Sequence, residues 1–242
     1  MKIKGCIALV TGANRGLGSF FVEALLTAGA AKVFAGARDP TTISNTRAIS
    51  IKLDITDSAQ ILTAATTCND VTLLINNAGV LLNSPMLAEG SADAMQREFD
   101  VNVFGTLNMV RSFAPVLAAN GGGAIVNMLS ITSWITSPLI ATYSASKHAE
   151  LVVTNAARIQ LKAQGTQVLG VYAGYIDTEM ADQIDAVKSN PADVAARTLE
   201  SVEAGIDHVL ADVRAREIWR ARSSDPAGLE AAMQARWDQN QR

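Results

Sequence analysis

Short apolar runs alternate with longer helical stretches along most of the chain, and this alternation constrains the fold more than any other feature of the sequence. The apolar runs lack the polar–apolar alternation of a half-exposed strand, which is typical of strands buried on both faces of a parallel sheet. We predict strands at residues 7–10, 32–35, 48–53, 71–75, 124–128 and 166–172, and helices at residues 17–27, 94–117 and 143–162. Pro115 is expected to end or kink the second helix.

This order of elements predicts a single α/β domain over residues 1–242, built on a doubly wound, mostly parallel sheet with helices on both faces. The ligand crevice of such a sheet lies at the carboxyl ends of its strands. Only about a dozen residues separate the second and third strands, so the helix between them is expected to be reduced to a turn. From about residue 221 the chain is interpreted as a polar helical tail, with a surface helix at residues 226–237.

Composition excludes several classes of protein. Of the 242 residues, 49% are apolar and 18% are charged, which indicates a folded globular chain. A net charge of −3 gives no basis for binding nucleic acid or an anionic membrane. We expect no signal peptide, and no apolar run approaches the ~18 residues of a membrane span. Cys6 and Cys68 fit no metal or disulfide spacing, so we expect a cytoplasmic protein without a bound metal.

A glycine cluster, TGANRGLG at residues 11–18, joins the first strand to the first helix. Glycines allow positive φ and a close approach to a pyrophosphate, which the free N–H groups of a helix N-terminus stabilise. The spacing G-x-x-x-G-x-G differs from the common dinucleotide fingerprint, and alone it is also compatible with a plain tight turn. The candidate pyrophosphate-binding residues are Gly12, Asn14, Arg15, Gly16, Leu17 and Gly18.

Two further motifs follow, NNAG at residues 76–79 after the fourth strand and YSASK at residues 143–147 at the start of a helix. Tyr143 and Lys147 are four residues apart, so they share one face of that helix. A phenol has an ordinary pKa near ~10, and a neighbouring ammonium lowers it, which makes the phenol a useful acid or base. Without other support, the pair is better explained as an ordinary surface tyrosine and lysine.

Together, the three motifs resemble those of the single-domain short-chain dehydrogenases/reductases, in the same order, from Ile7 to about Met180. The resemblance implies a Rossmann fold and a reversible hydride transfer between a nicotinamide and a carbonyl or alcohol carbon. It implies that Tyr143 donates a proton to the carbonyl oxygen and that Lys147 also holds the nicotinamide ribose. Ser130, 13 residues before Tyr143, matches the serine that hydrogen-bonds the substrate oxygen, with Ser133 as a possible substitute. Asn102 matches the asparagine that fixes a relay water.

The resemblance also implies the remaining contacts with the cofactor. Asp54 and Ile55 follow the third strand, where the family binds adenine, although Asp54 could instead serve as a turn or N-cap residue. The adenosine ribose is expected against Asn77, Ala78 and Gly79, while Asn76 is expected to brace the sheet. The nicotinamide carboxamide is expected at Gly174, Ile176 and Thr178. Ala173 replaces the proline of the family pattern P-G-x-x-x-T, so we expect a slightly looser loop.

The end of the second strand favours NADP(H) over NAD(H). NAD-binding proteins carry an acidic residue there, whereas an arginine accommodates the 2′-phosphate of NADP. Ala37 occupies the acidic position and Arg38 follows it, while Asp39 lies one residue too far along the chain. Arg15, in the glycine loop, is a second cation within reach of the same phosphate.

The substrate and the assembly are less constrained. The expected pocket walls are apolar and carry no cationic clamp, which predicts a small apolar or aromatic carbonyl or alcohol substrate; they are Leu81, Trp134, Ile135, Leu139, Tyr175 and Met180. The resemblance implies a homodimer through the helices at residues 94–117 and 143–162. A homotetramer stays open, because residues 207–212 do not resemble the C-terminal strand that family tetramers use.

Two alternative functions remain at this stage. One is a non-catalytic NADP-binding sensor or scaffold, which the complete set Asn102, Ser130, Tyr143 and Lys147 disfavours. The other is an epimerase or dehydratase of the extended relatives, which need a second domain that 242 residues can hardly supply.

Overall fold

A seven-stranded sheet forms the centre of the structure, a computed structural model that describes residues 1–182 and 184–240. All neighbouring strands are parallel, in the order β3-β2-β1-β4-β5-β6-β7. The chain adds strands toward one edge of the sheet from β1 to β3 and toward the other edge from β4 to β7. This reversal of the strand order between β1 and β4 confirms the predicted doubly wound Rossmann fold. The strands are β1 Ile7–Thr11, β2 Lys32–Ala37, β3 Ile49–Lys52, β4 Leu73–Asn76, β5 Ala124–Met128, β6 Gln167–Tyr172 and β7 His208–Leu210.

The strand β7 corrects one expectation. Residues 207–212 do contain a C-terminal strand, because His208–Leu210 pairs in parallel with residues 170–172 of β6 at the edge of the sheet. Between β2 and β3 the chain forms only a short 3₁₀ turn at Pro40–Thr42, as predicted.

Helices cover both faces of the sheet. A π-helical segment, Phe99–Gly105, joins the third helix to the fourth where one continuous helix was predicted. Pro115 lies within α4 and does not end it, which corrects the first of the two predicted effects, while the kink stays a prediction. Arg111 and Pro115 are both exposed, so water can satisfy the carbonyl that the proline leaves without a donor. The helices are α1 Gly16–Thr27, α2 Ser58–Thr67, α3 Ser91–Glu98, α4 Thr106–Ala119, α5 Ala141–Gln160, α6 Pro191–Ala204, α7 Val213–Ser224 and α8 Pro226–Gln239.

Two apolar cores lie on the two faces of the sheet. Successive strand residues point to opposite faces, so Val10 packs with α1 and α6 while its neighbour Leu9 packs with α2 and α4. Phe21 of α1 and Phe113 of α4 are fully buried in these two cores. Burial of both faces explains why the inner strands are mainly apolar, whereas the edge strand β3 is mostly exposed and includes Ser50 and Lys52. In the described part of the chain, no helix has both the length and the apolar character that a membrane crossing requires.

Because the strands are parallel, the segments that follow β1, β4, β5 and β6 all emerge at one edge of the sheet. These segments carry the glycine cluster, the NNAG motif, Ser130 and Gly174. The fold therefore gathers residues that lie far apart in the sequence.

Candidate active site

The glycine loop is shaped to receive an anion. It runs from the end of β1 to the start of α1, and Gly12 and Gly16 adopt positive φ values of 62° and 50°, which favour glycine. Arg15 stands at the N-cap of α1 and makes no side-chain capping hydrogen bond. The N–H groups of the first turn are therefore available to a pyrophosphate, so this part of the chain fits the predicted nicotinamide dinucleotide.

Asn77 fastens the glycine loop to the segment after β4. Its side-chain amide donates to the carbonyl oxygens of Thr11 and Gly12 at 3.0 and 3.2 Å. In return, the Thr11 hydroxyl accepts the N–H groups of Asn77 and Ala78, both at 3.0 Å. A Cβ atom on Gly12 would lie 3.0 Å from the Cα of Ala78, so the two segments are as close as backbone permits. The structure thus brings these predicted cofactor residues together.

The residues predicted to select the cofactor lie at the end of β2. Ala37 is buried as the last residue of that strand, while Arg38 and Arg15 are exposed. The Asp39 carboxylate accepts the N–H and the hydroxyl of Thr41 at 3.0 and 2.7 Å, so it caps the 3₁₀ turn. This capping role is consistent with the prediction that Asp39 is not the acidic residue that binds the adenosine ribose.

At the end of β3, Asp54 accepts the N–H and the hydroxyl of Thr56 at 2.9 and 2.7 Å. The turn role considered for Asp54 is therefore present, and the adenine contact stays a prediction. Ile55 is buried against Gly105, where a Cβ atom would lie 2.7 Å from the Cδ1 of Ile55.

Tyr143 and Lys147 lie on the first turns of α5, and the Lys147 Nζ atom is 5.7 Å from the centre of the Tyr143 ring. The Lys147 ammonium donates to the carbonyl oxygen of Met128, at the end of β5, at 2.8 Å. The Ser130 side chain is near enough to the Tyr143 phenol to lower its pKa, and its hydroxyl accepts the N–H and hydroxyl of Thr132 at 3.1 and 3.0 Å. Phenol, ammonium and serine hydroxyl therefore share one location.

Ser133 has a supporting role. Its hydroxyl accepts the N–H of Ser130 at 3.3 Å as part of a capping box, and its side chain is buried. Ser130 is therefore the better match to the predicted substrate-binding serine.

Asn102 lies in the π-helical segment and clamps the loop that leads to the predicted pocket. Its side-chain oxygen accepts the N–H of Val80 at 2.9 Å, and its amide donates to the Val80 carbonyl at 2.9 Å and the Ser146 hydroxyl at 3.0 Å. A Cβ atom on Gly79 would lie 3.1 Å from the Asn102 oxygen and 3.9 Å from the Lys147 Nζ atom. Asn102 thus joins the group around Lys147, with its side chain used for bracing.

The electrostatics of Tyr143 differ from the expectation. Burial raises the pKa of its phenol, and although Lys147 lowers that pKa, the carboxylate of Glu150 raises it, so the net direction is upward. Burial alone would lower the pKa of Lys147, but Glu150 and Tyr143 together outweigh burial and raise it. Lys147 is therefore a permanent ammonium, and Tyr143 is a protonated phenol at neutral pH.

Two buried carboxylates were missed by the sequence analysis. Glu150 lies 2.6 Å from the Nζ atom of Lys147, and its second oxygen accepts the Thr106 hydroxyl at 3.1 Å. Glu98 accepts the N–H of Leu82 at 2.8 Å, and its other oxygen is buried without a protein partner. The available signal was spacing: Glu150 is three residues after Lys147, and Glu98 is four residues before Asn102.

The loop after β6 is fastened by another missed residue, Asp212. Its carboxylate accepts the N–H of Gly174 at 2.7 Å and the hydroxyl of Ser189 at 3.0 Å, while also capping α7 through Ala215 at 2.7 Å. Ala173 itself is buried. Asp212 therefore fastens the loop that follows Ala173, and the slightly looser loop expected from the missing proline stays a prediction.

Further along this loop, the backbone of Ile176 pairs with that of Ser189 in a parallel bridge. The Thr178 hydroxyl donates to the carbonyl oxygen of Ile176 at 3.4 Å. The three predicted nicotinamide-binding residues, Gly174, Ile176 and Thr178, thus lie on one fastened segment.

The C-terminal tail reaches the predicted substrate pocket. Arg236 of α8 donates to the hydroxyl of Tyr175 at 2.8 Å, and α8 contacts the 3₁₀ turn Pro138–Ile140. A guanidinium therefore lies at a wall that the sequence suggested was free of cations. Trp134 stacks on Tyr172 at 3.9 Å between ring centres and packs edge-on against Trp219, so much of its surface is not available to the pocket.

Comparison with known proteins decides the family. The model of the short chain dehydrogenase family matches residues 6–189. The chain belongs to this family. This short-chain dehydrogenase is 33% identical over 196 residues to a sorbitol dehydrogenase of Cereibacter sphaeroides, in an alignment that covers 77% of this chain and 76% of that protein.

Solved structures of similar proteins hold both nicotinamide cofactors. A short chain dehydrogenase of Burkholderia cenocepacia, in complex with NADP, is 42% identical and superimposes with a TM-score of 0.93 over 96% of this short-chain dehydrogenase and 99% of that chain. A relative from Burkholderia phymatum, in complex with NAD, is 25% identical with a TM-score of 0.83 over 94% and 96% of the two chains. In the described residues of this short-chain dehydrogenase, no cluster of three or more His, Cys, Asp or Glu side chains could hold a metal ion.

Proposed function

We propose that this short-chain dehydrogenase uses NADPH to reduce a ketone or an aldehyde to an alcohol, with Tyr143 as the general acid. The observation that carries the proposal is the grouping of Tyr143, Lys147 and Ser130 near the end of β5, at the same edge of the sheet as the glycine loop. A nicotinamide bound there supplies a hydride to the carbonyl carbon.

The side chains have separable roles in this reaction. The Ser130 hydroxyl hydrogen-bonds the carbonyl oxygen and orients it. The Tyr143 phenol gives that oxygen a proton as negative charge develops on it, so the alcohol forms without a free alkoxide. The Lys147 ammonium balances the phenolate that remains. A phenol whose pKa lies above its ordinary value is fully protonated at neutral pH, which favours the reductive direction.

The preference for NADP(H) rests on charge at the end of β2. Arg38 and Arg15 are both exposed and can pair with a 2′-phosphate, and no acidic side chain takes the competing position, since Ala37 stands there. The NADP complex of the 42% identical relative supports the same preference. The cofactor contacts of Asp54, Ile55 and Gly79 belong to this proposal.

The proposed substrate is a small apolar or aromatic carbonyl compound, because the segments that follow β4, β5 and β6 supply the apolar side chains of Leu81, Ile135, Leu139 and Met180. The proposed assembly is a homodimer or homotetramer in the cytoplasm. Val152 and Ile159 on α5 are 67% and 76% exposed, which favours a contact between copies along this helix.

The test measures NADPH consumption with a panel of aryl ketones, diketones, aldehydes and ketoses, and the reverse reaction with sugar alcohols. Wild type should reduce at least one carbonyl compound, and Tyr143→Phe should lose about 10²–10⁴-fold in rate while it still binds NADPH. Equal consumption by the two proteins would contradict the assignment of Tyr143.

A further inference from the structure

A buried carboxylate is in direct contact with Lys147, and the proposed reaction does not account for it. Glu150 and Lys147 are only 1% and 5% exposed, and their charged atoms are 2.6 Å apart. The second carboxylate oxygen is held by the hydroxyl of Thr106 on α4 at 3.1 Å. The pair therefore bridges the interior between α4, α5 and β5.

Stability does not explain this pair. Burying two charges costs desolvation energy, and apolar residues of similar volume are often equally stabilising or better. The core on this face already contains fully buried apolar side chains such as Phe113 and Leu117. An ion pair at this point is better explained by what it does to the ammonium.

The contacts fix the direction of the ammonium. A lysine ammonium has three N–H donors. The carbonyl oxygen of Met128 takes one at 2.8 Å and Glu150 takes a second at 2.6 Å. One donor remains for a ligand, and the nearby Gly79, without a side chain, leaves room beside Nζ.

We propose that Glu150 is a positioning residue for Lys147, which anchors the ammonium with one N–H free and offsets the positive charge that faces Tyr143. This role rests on the proposed function of Tyr143. The Glu150 carboxylate is bonded to Lys147 and Thr106, so its effect on the predicted ligands is exerted through Lys147.

The charges around the phenol are few. Lys147 lowers the pKa of Tyr143, whereas Glu150 on α5 and, more weakly, Glu98 on α3 raise it. The groups that β5 and α4 contribute, the Met128 carbonyl and the Thr106 hydroxyl, are uncharged. Loss of the Glu150 charge should therefore let Lys147 act on the phenol with less opposition.

The first test needs no cofactor. The ionisation of Tyr143 is followed by tyrosinate absorbance in the free protein, as the difference between each protein and its Tyr143→Phe counterpart. Glu150→Gln keeps the shape of the side chain but removes its charge, and should move the titration down by about one pH unit. Glu150→Asp keeps the charge and should titrate close to wild type. Glu23→Gln, which neutralises an exposed carboxylate paired with Arg47, should leave the titration unchanged.

The second test follows the reaction. Glu150→Gln should lower kcat about tenfold, less than the full general-acid contribution of about 10²–10⁴, and should shift the pH profile in the same direction as the titration. The proposal would be overturned if Tyr143 titrated at the same pH in wild type and Glu150→Gln. It would also be overturned if Glu150→Asp shifted this titration as much as Glu150→Gln does. If Glu150→Gln does not fold, a Glu150→Asp profile that matches wild type in pH but has a lower kcat supports it, and a displaced profile overturns it.

The two proposals fail in different ways. A shifted titration in a protein that turns over no carbonyl compound would leave the role of Glu150 intact and reject the proposed function. Turnover that depends on Tyr143, with the same pH profile in wild type and Glu150→Gln, would reject the role of Glu150 alone.

Discussion

Replacement of Gly18 by alanine should disable the glycine loop. A Cβ atom there would lie 2.1 Å from the carbonyl oxygen of Gly12 and 2.7 Å from the side-chain nitrogen of Asn77. Carbon and oxygen rarely approach closer than about 3.3 Å, so the loop would have to retreat by about 1 Å. That movement pulls the Gly12 carbonyl away from Asn77, which holds it at 3.2 Å.

A displacement of this size predicts two measurable losses. The free energy of unfolding should fall by about 1–3 kcal/mol, as for other overpacked sites, which lowers Tm by about 2–4 °C for each kcal/mol. The value of kcat/KM for NADPH should fall about 10²-fold, because misplacement by about 1 Å costs that much in orientation.

Thermal denaturation and steady-state kinetics measure the two losses, and Gly5→Ala is the matched control. Gly5 has a positive φ of 83°, which Gly18 does not share, and a Cβ atom on Gly5 would meet nothing within 4 Å. Its alanine variant should therefore lose stability from backbone strain, by about 1–2 kcal/mol, with unchanged kinetics. Wild-type affinity for NADPH in Gly18→Ala would refute the reasoning.

Three other variants test separate parts of the structure. Arg38→Ala should weaken NADPH about 10–100-fold and NADH hardly at all in fluorescence titrations, whereas equal losses would place Arg38 elsewhere. Asp212→Ala frees the N–H of Gly174, so KM for NADPH should rise about tenfold and Tm should fall; an unchanged KM would contradict this role. Burial and Arg158 lower the pKa of His208, so the free energy of unfolding should decline as pH falls below about 6.5. In thermal scans, His208→Gln should remove that decline. Parallel curves of Tm against pH for the two proteins would exclude this role of His208.

The sheet was predictable because its signal is local. Strands buried on both faces must be apolar throughout, and residues such as Leu9 and Val10 satisfy both cores at once. Strand β7 was not predictable in this way, since it has only three residues and begins with the exposed His208. Its conformation comes from pairing with β6, which is a contact distant in sequence.

The π-helical segment has a similar cause. The apolar periodicity of residues 94–117 continues without a break, so the sequence indicates one helix. The wider turns at Phe99–Gly105 coincide with the contacts of Asn102 to Val80 and Ser146, which only the folded chain provides.

For the site, the spacing of the motifs was enough to predict which side chains lie close together. Tyr143 and Lys147 share a helix face, and parallel strands bring Ser130 to the same edge of the sheet as the glycine loop. The balance of charges around Tyr143 could not be predicted, because a lysine and a glutamate three residues apart ordinarily form a solvated pair on the surface. Only the packing of α4 over Glu150 shows that this pair is buried and that the pKa of the phenol is raised.

The most direct test of the central claim is a single-turnover measurement of NADPH oxidation, with enzyme in excess over NADPH and a saturating carbonyl substrate identified in the panel. If Tyr143 supplies the proton, wild type should lose activity as pH rises through the pKa of the phenol. Tyr143→Phe should be slower by at least about 10²-fold, without that pH dependence. A Tyr143→Phe protein that transfers hydride at the wild-type rate, with the wild-type pH profile, would contradict the account.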